Sequence, residues 1–481
     1  MRNGSMGRRI ASGGLMAVLV FLAAAGCGGA KLQANASEES SGTVYTVGSS
    51  RESGSAAAVN GSGANRYQLA EAAYPERPPY PDRTENMDYD AYSKIWEVWV
   101  EEQRSRSRLT ELQDTALQEF ARNTTRQFLS GSQEKNPVYS PVNLYLALAM
   151  LAETTDGQSR QQILDVLEVG TIEDLRTMAS VLWNLCYEDD GTVTSLPAGS
   201  IWLRNDRSYN QETLDRLAGQ YYTSAFQGPM GTEAYNQALQ SWLNEHTGNL
   251  LQEQASDIKT KEDTELALAS TMYYRAKWTD EFQEANTRDR VFYGKYGNQV
   301  YPFLNKSESG HYYWGDQFTA VSQDLHNSGS MWLILPDEGV AVEELLLGKE
   351  VFELLQSRTQ WEKQKYMIVN LSVPKFDVVS DMDLLEELKK LGITDVLNAD
   401  TADFSPLAGP DAGIFLSQAD HAARVKVDEY GVEAAAYTVV LGALGAIPPE
   451  EEVDFVLDRP FLFVITSRQG LPLFCGIVQV L

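Results

Sequence analysis

Residues 432–442 alternate with a period of two, and that pattern limits the possible folds more than any other feature of the chain. Val432, Ala434, Ala436, Thr438, Val440 and Gly442 fall on one face of an extended strand, while Glu433 and Tyr437 fall on the other. The first face is small or β-branched throughout, so one register buries it cleanly and a one-residue slip buries the acid and the phenol instead. Beyond it, Gly445, Ala446 and Ile447 precede the stiff pair Pro448-Pro449, a combination suited to presenting backbone in a protease cleft. The segment therefore reads as a strand held in reserve beside a cleavable stretch.

The rest of the chain predicts an α+β domain. Helical spacing is found at residues 92–99, through Leu109, Leu112, Leu117, Phe120 and Phe128, and again at 142–152 and 383–391. Strand-like runs occupy residues 332–335, 368–373 and 461–466. Helices and strands do not alternate regularly, which argues for antiparallel or mixed sheets and against repeated βαβ units.

Charge and composition exclude several functions. The net charge of -28 repels phosphate backbones and anionic headgroups, so nucleic acid is excluded as a partner and a membrane is reached only through a lipid anchor. Four histidines, His246, His311, His326 and His421, show no metal-ligand spacing, and no Gly-x-Ser-x-Gly elbow accompanies them, so neither an enzyme nor a metal or cofactor site is expected. Cys27, Cys186 and Cys475 cannot form a disulfide framework, although a Cys186–Cys475 bridge stays open. Trp183, Trp202, Tyr273, Tyr274 and Trp314 are read as packing residues and not as a ligand cage.

The N-terminus reads as an export signal, with Arg8 and Arg9 ahead of an apolar run over residues 15–25. That run closes on Leu22, Ala23, Ala24, Ala25, Gly26 and Cys27, which resembles a bacterial lipobox with Ala24 where Leu is commoner. The resemblance implies lipid attachment at Cys27 and a cell-surface lipoprotein; ordinary cleavage and secretion is the alternative. Residues 1–27 are thus taken as signal peptide and 28–104 as a disordered tether with a short helix, since 28–83 are rich in Ser, Gly, Ala, Asn and Pro. Residues 105–481 form the folded domain.

Several motifs, in order, resemble the serpin family of serine protease inhibitors. They are Asn136-Pro137-Val138-Tyr139-Ser140-Pro141; Ala276-Lys277-Trp278 with Phe282; Leu335-Pro336-Asp337-Glu338; Pro374-Lys375-Phe376; Leu391-Gly392-Ile393-Thr394; Asp428-Glu429-Tyr430-Gly431; Asp458-Arg459-Pro460-Phe461; and Leu473-Phe474-Cys475-Gly476. The resemblance implies a serpin fold with three β-sheets, eight or nine helices and an exposed reactive-centre loop. It also implies a monomeric suicide substrate: a target serine protease acylates itself on the loop and is trapped when the cut loop enters the main sheet. The alternative is a serpin that acts as a non-inhibitory binding or structural surface lipoprotein.

Matched to the family, the hinge is Glu429, Gly431, Val432, Glu433, Ala434, Ala435 and Ala436, with Val432 where inhibitory members commonly carry Thr or Ser. Loop length places the reactive bond at Gly445–Ala446, with Leu444–Gly445 as the alternative. No Arg or Lys stands in the loop, which favours elastase-, chymotrypsin- or subtilisin-like targets over trypsin-like ones. The cluster that governs sheet opening in the family matches Ser140, Asn143, Ser270 and His421, with amide and hydroxyl exchanged between Asn143 and Ser270. Polyanion activation is not expected, because residues 171–190 hold one arginine, Arg176, among five acids.

Overall fold

The computed structural model describes residues 64–75, 81, 87–130, 135–189, 193–326, 328–432 and 449–481. The lipobox Cys27 and the loop residues 433–448 lie outside them.

Two sheets organise the described chain. The first contains β1 (Gln68–Ala70), β3 (Glu188–Asp189), β4 (Thr194–Arg204), β5 (Thr223–Gly228), β6 (Leu266–Lys277), β12 (Phe376–Asp383), β13 (Gln418–Val427) and β14 (Gly431–Val432). Its order is β1-β5-β4-β6-β14-β13-β12, with β3 attached to β4. The second contains β2 (Val138–Tyr139), β7 (Arg288–Gly294), β8 (Gly297–Trp314), β9 (Phe318–Asp324), β10 (Ser330–Pro336), β11 (Gln364–Pro374), β15 (Glu452–Val456), β16 (Phe461–Thr466) and β17 (Pro472–Val478). The order there is β15-β11-β8-β9-β10-β16-β17-β2, with β7 on β8. Two of the three sheets expected are continuous here, because the 18-residue β8 runs through both.

The α-helices are α1 (Tyr89–Arg106), α2 (Glu111–Ser130), α3 (Pro141–Thr154), α4 (Gly157–Val166), α5 (Ile172–Cys186), α6 (Gln211–Gln220), α7 (Glu233–Glu245), α8 (Gln252–Asp257), α9 (Glu350–Gln356), α10 (Leu384–Lys390) and α11 (Ser405–Ala408). These are eleven among the described residues, against eight or nine expected; α8 and α11 are short turns of helix, and α1 precedes the folded domain as read from sequence. The span read as a tether with a short helix thus holds most of α1, an 18-residue helix, and also the strand β1. Leu69 there packs against the main core, and the rings of Trp96 and Trp99 stack at 5.3 Å, apolar groups that a Ser/Gly-rich tether lacks.

Helix α3 shows how sequence sets position. Pro141 supplies the pre-formed first turn, and the Ser140 hydroxyl caps it by accepting from the Asn143 amide at 3.1 Å. Nearly every α3 residue is buried, so the helix has no solvent face and lies inside the core beneath the first sheet. Strands β10, β16 and β17 are buried along their whole length, the pattern of strands covered on both faces. A second, smaller apolar cluster packs Trp202 and Phe226 beneath α7, on Tyr235 and Trp242. Trp183 and Trp202 are among the largest fully buried side chains, so they serve as packing residues. Cys186 and Cys475 are both free and buried, which removes the bridge left open by sequence, and burial pushes both thiols up.

Candidate functional site

The site is a gap in the first sheet. Strands β6 and β13 run parallel and pair at four positions, Ala267–Gln418, Leu268–Ala419, Ala269–Asp420 and Ser270–His421. Beyond that, among the described residues, 271–275 of β6 and 422–426 of β13 carry no ladder pairing to each other. At the far end β14 stands between them, antiparallel to both, with Val432 opposite Ala276 on one side and Val427 on the other. The two strands are therefore zipped at one end, wedged at the other and open between.

Gly431 makes the wedge possible. A Cβ on it would lie 2.3 Å from the Ala276 carbonyl oxygen, so only glycine lets the chain pass this close to β6. Val432, next in the chain, is 2 % exposed, its side chain directed into the core. Along β13 the odd-numbered residues 419, 421, 423, 425 and 427 are buried, and along β6 the even-numbered ones from 266 to 276; on β6 the other row is buried as far as Thr271 and partly exposed at 273, 275 and 277.

The base of the loop is tied down by residues far away in sequence. Trp278 donates its backbone amide to the Tyr430 carbonyl and its indole N–H to the Asp428 carbonyl, both at 3.0 Å, and Phe282 donates to the Glu429 carbonyl at 2.9 Å. The buried Glu429 carboxylate accepts from Lys375 Nζ at 2.7 Å and Thr287 Oγ1 at 2.9 Å. Burial pushes that carboxyl up, but the bonds from Lys375, the backbone and Thr287 outweigh it and hold the group below its ordinary value. The Tyr430 hydroxyl bonds Glu284. Lys375 and Trp278 sit in motifs quoted above only as marks of resemblance, and Thr287 sits in none; a contact spanning 54 residues, as between Lys375 and Glu429, leaves no periodic trace.

At its other end the loop returns to the second sheet. Strand β15 lies parallel to β11, from Glu452 opposite Ile368 to Val456 opposite Ser372, and Lys365 pairs with Glu451 at 2.5 Å. The loop's two ends are thus built into different sheets.

The four polar residues matched to sheet opening meet at the zipped end of the gap. Ser140 donates its backbone N–H to His421 Nε2 at 3.2 Å, and the Ser270 hydroxyl donates to Asn143 Oδ1 at 2.5 Å. Ser270 and His421 face each other on the last paired rung, so α3 holds β6 through Asn143 and β13 through Ser140. The side-chain Nδ2 of Asn143 has no hydrogen-bond partner among the described residues. Burial lowers the His421 pKa to about 4, which keeps the ring neutral and able to accept. Of the seven hinge positions the structure places Glu429, Gly431 and Val432; Glu433 to Ala436 and the reactive-bond residues Leu444, Gly445 and Ala446 lie outside the described part.

A two-sheet fold with a parallel strand pair split open beside a tethered loop defines a class, and comparison with known proteins assigns it. A family model for serpins (serine protease inhibitors) matches residues 115–480, and the chain belongs to the serpin family. It is 26% identical over 362 residues to Serpin-ZX of Arabidopsis thaliana, covering 72% of this chain and 92% of that protein. Plasminogen activator inhibitor 1 of Sus scrofa is 26% identical over 381 residues, covering 75% and 90%. Among solved structures, the native state of the thermophilic serpin tengpin superposes with a TM-score of 0.68 at 25% identity, covering 78% of this chain and 95% of tengpin.

Proposed function

We propose that the protein is a suicide-substrate inhibitor of elastase-, chymotrypsin- or subtilisin-like serine proteases. One observation carries the reading: the wedge β14 already sets the register that the cut loop would follow. Continued from Val432, that register sets Ala434 between Tyr274 and Val425, Ala436 between Met272 and Ala423, Thr438 between Ser270 and His421, and Val440 between Leu268 and Ala419. All eight neighbours belong to the buried rows, and the loop's small face meets them. Glu433, on the opposite face, falls between Arg275 and Lys426, an opposite-charge match on both sides.

The chemistry belongs to the protease. Its serine attacks the carbonyl of Gly445, or of Leu444, forming an ester as the peptide bond breaks and the new amine leaves on Ala446, or Gly445. The C-terminal fragment stays in the second sheet through β15, β16 and β17. The acylated fragment is free to enter the gap, adding about ten ladder hydrogen bonds at about 1 kcal/mol net each. Dragging the esterified serine away from its oxyanion hole slows deacylation; loss of one oxyanion donor alone costs about a hundred- to a thousandfold.

Export and lipid attachment at Cys27, placing the inhibitor at a cell surface, belong to the same reading and rest on the lipobox-like sequence. Polyanion activation is disfavoured: Arg176 on α5 is engaged by Glu153 at 2.8 Å and by Glu173 at 3.3 Å. Mixing the protein with an elastase and with a subtilisin tests the inhibitory reading. A covalent complex that survives denaturing electrophoresis supports it, and quantitative loop cleavage without any complex rejects it. Palmitate label that persists in a Cys27→Ser variant would reject the anchor.

A further inference from the structure

Residues 64–75 precede the family-matched span and wrap the free edge of the first sheet from one face to the other. On the outer face Ala64 is buried in the second apolar cluster, and the Tyr67 ring meets Tyr235 of α7 edge-on at 4.9 Å. At the edge β1 pairs antiparallel with β5, Gln68 opposite Phe226 and Ala70 opposite Ala225. The Ala72 amide donates at 3.1 Å to Oγ of Ser224, which shares a face of β5 with Phe226, and on the inner face the Ala73 amide donates to the Ala218 carbonyl of α6 at 2.9 Å. Tyr74 then stacks on Trp183 of α5 at 5.3 Å with an interplanar angle of 12°.

A strand entering the gap widens the sheet by about 4.8 Å, so one half of it must shift. The β12–β13 half is held to the second sheet, where Phe376 packs on Phe461 and Phe463 at 5.9 and 5.3 Å. Helices α5 and α6 are held to α3, because the buried Glu153 of α3 accepts from Arg176 at 2.8 Å, from Arg216 at 2.7 Å and from the Tyr221 hydroxyl at 2.8 Å. Strands β6, β4 and β5 are then the half that slides across an underlayer fixed to the core, breaking the Ser270–Asn143 bond to α3 at 2.5 Å and the bond from the Trp183 indole to the Pro197 carbonyl of β4 at 3.0 Å. Residues 64–75 join the sliding edge to that fixed underlayer.

We propose that residues 64–75 are a staple that keeps the uncut protein in its open-gap form, and that freeing the staple speeds insertion of the uncut loop. This rests on the inhibitory reading only in assuming that the gap accepts the loop.

The test uses the full chain without protease. Tyr74→Ala and, at the opposite end of the staple, Tyr67→Ala are incubated at 37 °C alongside wild type and Tyr74→Phe. Conversion to an uncut, urea-resistant form is followed on unfolding gels. Each alanine variant is expected to convert about tenfold faster, with Tyr74→Phe at the wild-type rate because the stacked ring is retained. Equal conversion rates, or no conversion of any variant, overturn the staple even if the alanine variants unfold at lower urea. Dimerisation without conversion also overturns it, showing that the segment only shields a sheet edge. Complex formation between wild type and elastase, measured separately, tells failure of the inhibitory reading from failure of the staple.

Discussion

Replacing Val432 by glutamate puts a carboxylate at the mouth of the gap. The valine is 2 % exposed and lies between Ala276 and Val427, so its burial contributes about 1.5–3 kcal/mol. An unpaired carboxylate in the same seat costs several kcal/mol more, and the hinge relieves that cost by leaving the sheet. Insertion that begins at this residue then starts from a wedge already expelled. A barrier raised by about 3 kcal/mol slows insertion about a hundredfold, while deacylation, which happens inside the protease, keeps its rate. The acyl-enzyme therefore partitions toward hydrolysis, and the protein changes from inhibitor to substrate. Titrating active-site-counted subtilisin or elastase reads this directly: the moles of inhibitor consumed per mole of enzyme silenced should rise more than about tenfold. On gels the complex should give way to the cleaved chain. Val432→Thr, β-branched and of similar size, should keep the wild-type stoichiometry. If Val432→Glu retains it as well, insertion does not propagate from β14 and the register argument fails.

Two further outcomes follow from the buried groups. The His421 pKa, lowered to about 4 from 6.5, means that the unfolded chain binds the ring proton more tightly. Stability from this group is complete above about pH 6.5 and falls by about 1.4 kcal/mol per unit down to about pH 4, about 3 kcal/mol in all. Urea midpoints of the uncut protein at pH 7.5 and 4.5 should show that loss, and His421→Gln should show less of it; an unchanged pH dependence in the variant would assign the loss elsewhere. Glu153, 1 % exposed at its side chain, is pushed up by burial but brought below its ordinary value by Arg176, Arg216 and Tyr221. Glu153→Gln takes the shared buried carboxylate from Arg176 and Arg216, leaving them the exposed Glu173 and Glu212, and should cost about 1.5–3 kcal/mol at pH 7; a urea midpoint matching wild type would show that the cluster is not a stabilising anchor.

Alternation over residues 432–442 assigns odd and even positions to opposite faces by strand geometry alone, and Val432, the one of them that the structure describes, faces the core. Helices α2, α3 and α10 and strands β10, β11 and β16 were legible for the same kind of reason, a local period matched to a buried face. The lateral fastenings were not legible. Lys375 reaches Glu429 across 54 residues, Ser270 reaches Asn143 across 127 and Ser140 reaches His421 across 281, and no pattern within either segment announces its partner. Nor did composition separate the staple from the tether around it, since Ala64, Tyr67 and Tyr74 are ordinary residues until Tyr235 and Trp183 stand opposite them.

Sequence by itself carried the period-two pattern over residues 432–442 and the proline pair beyond it, because that information lies in neighbouring side chains. Tertiary structure alone decided that β6 and β13 part above Ser270 and His421, and that β14 stands between them at the far end. Those properties depend on how strands far apart in the chain are held against a common core, and such distances are set by packing rather than by spacing along the backbone.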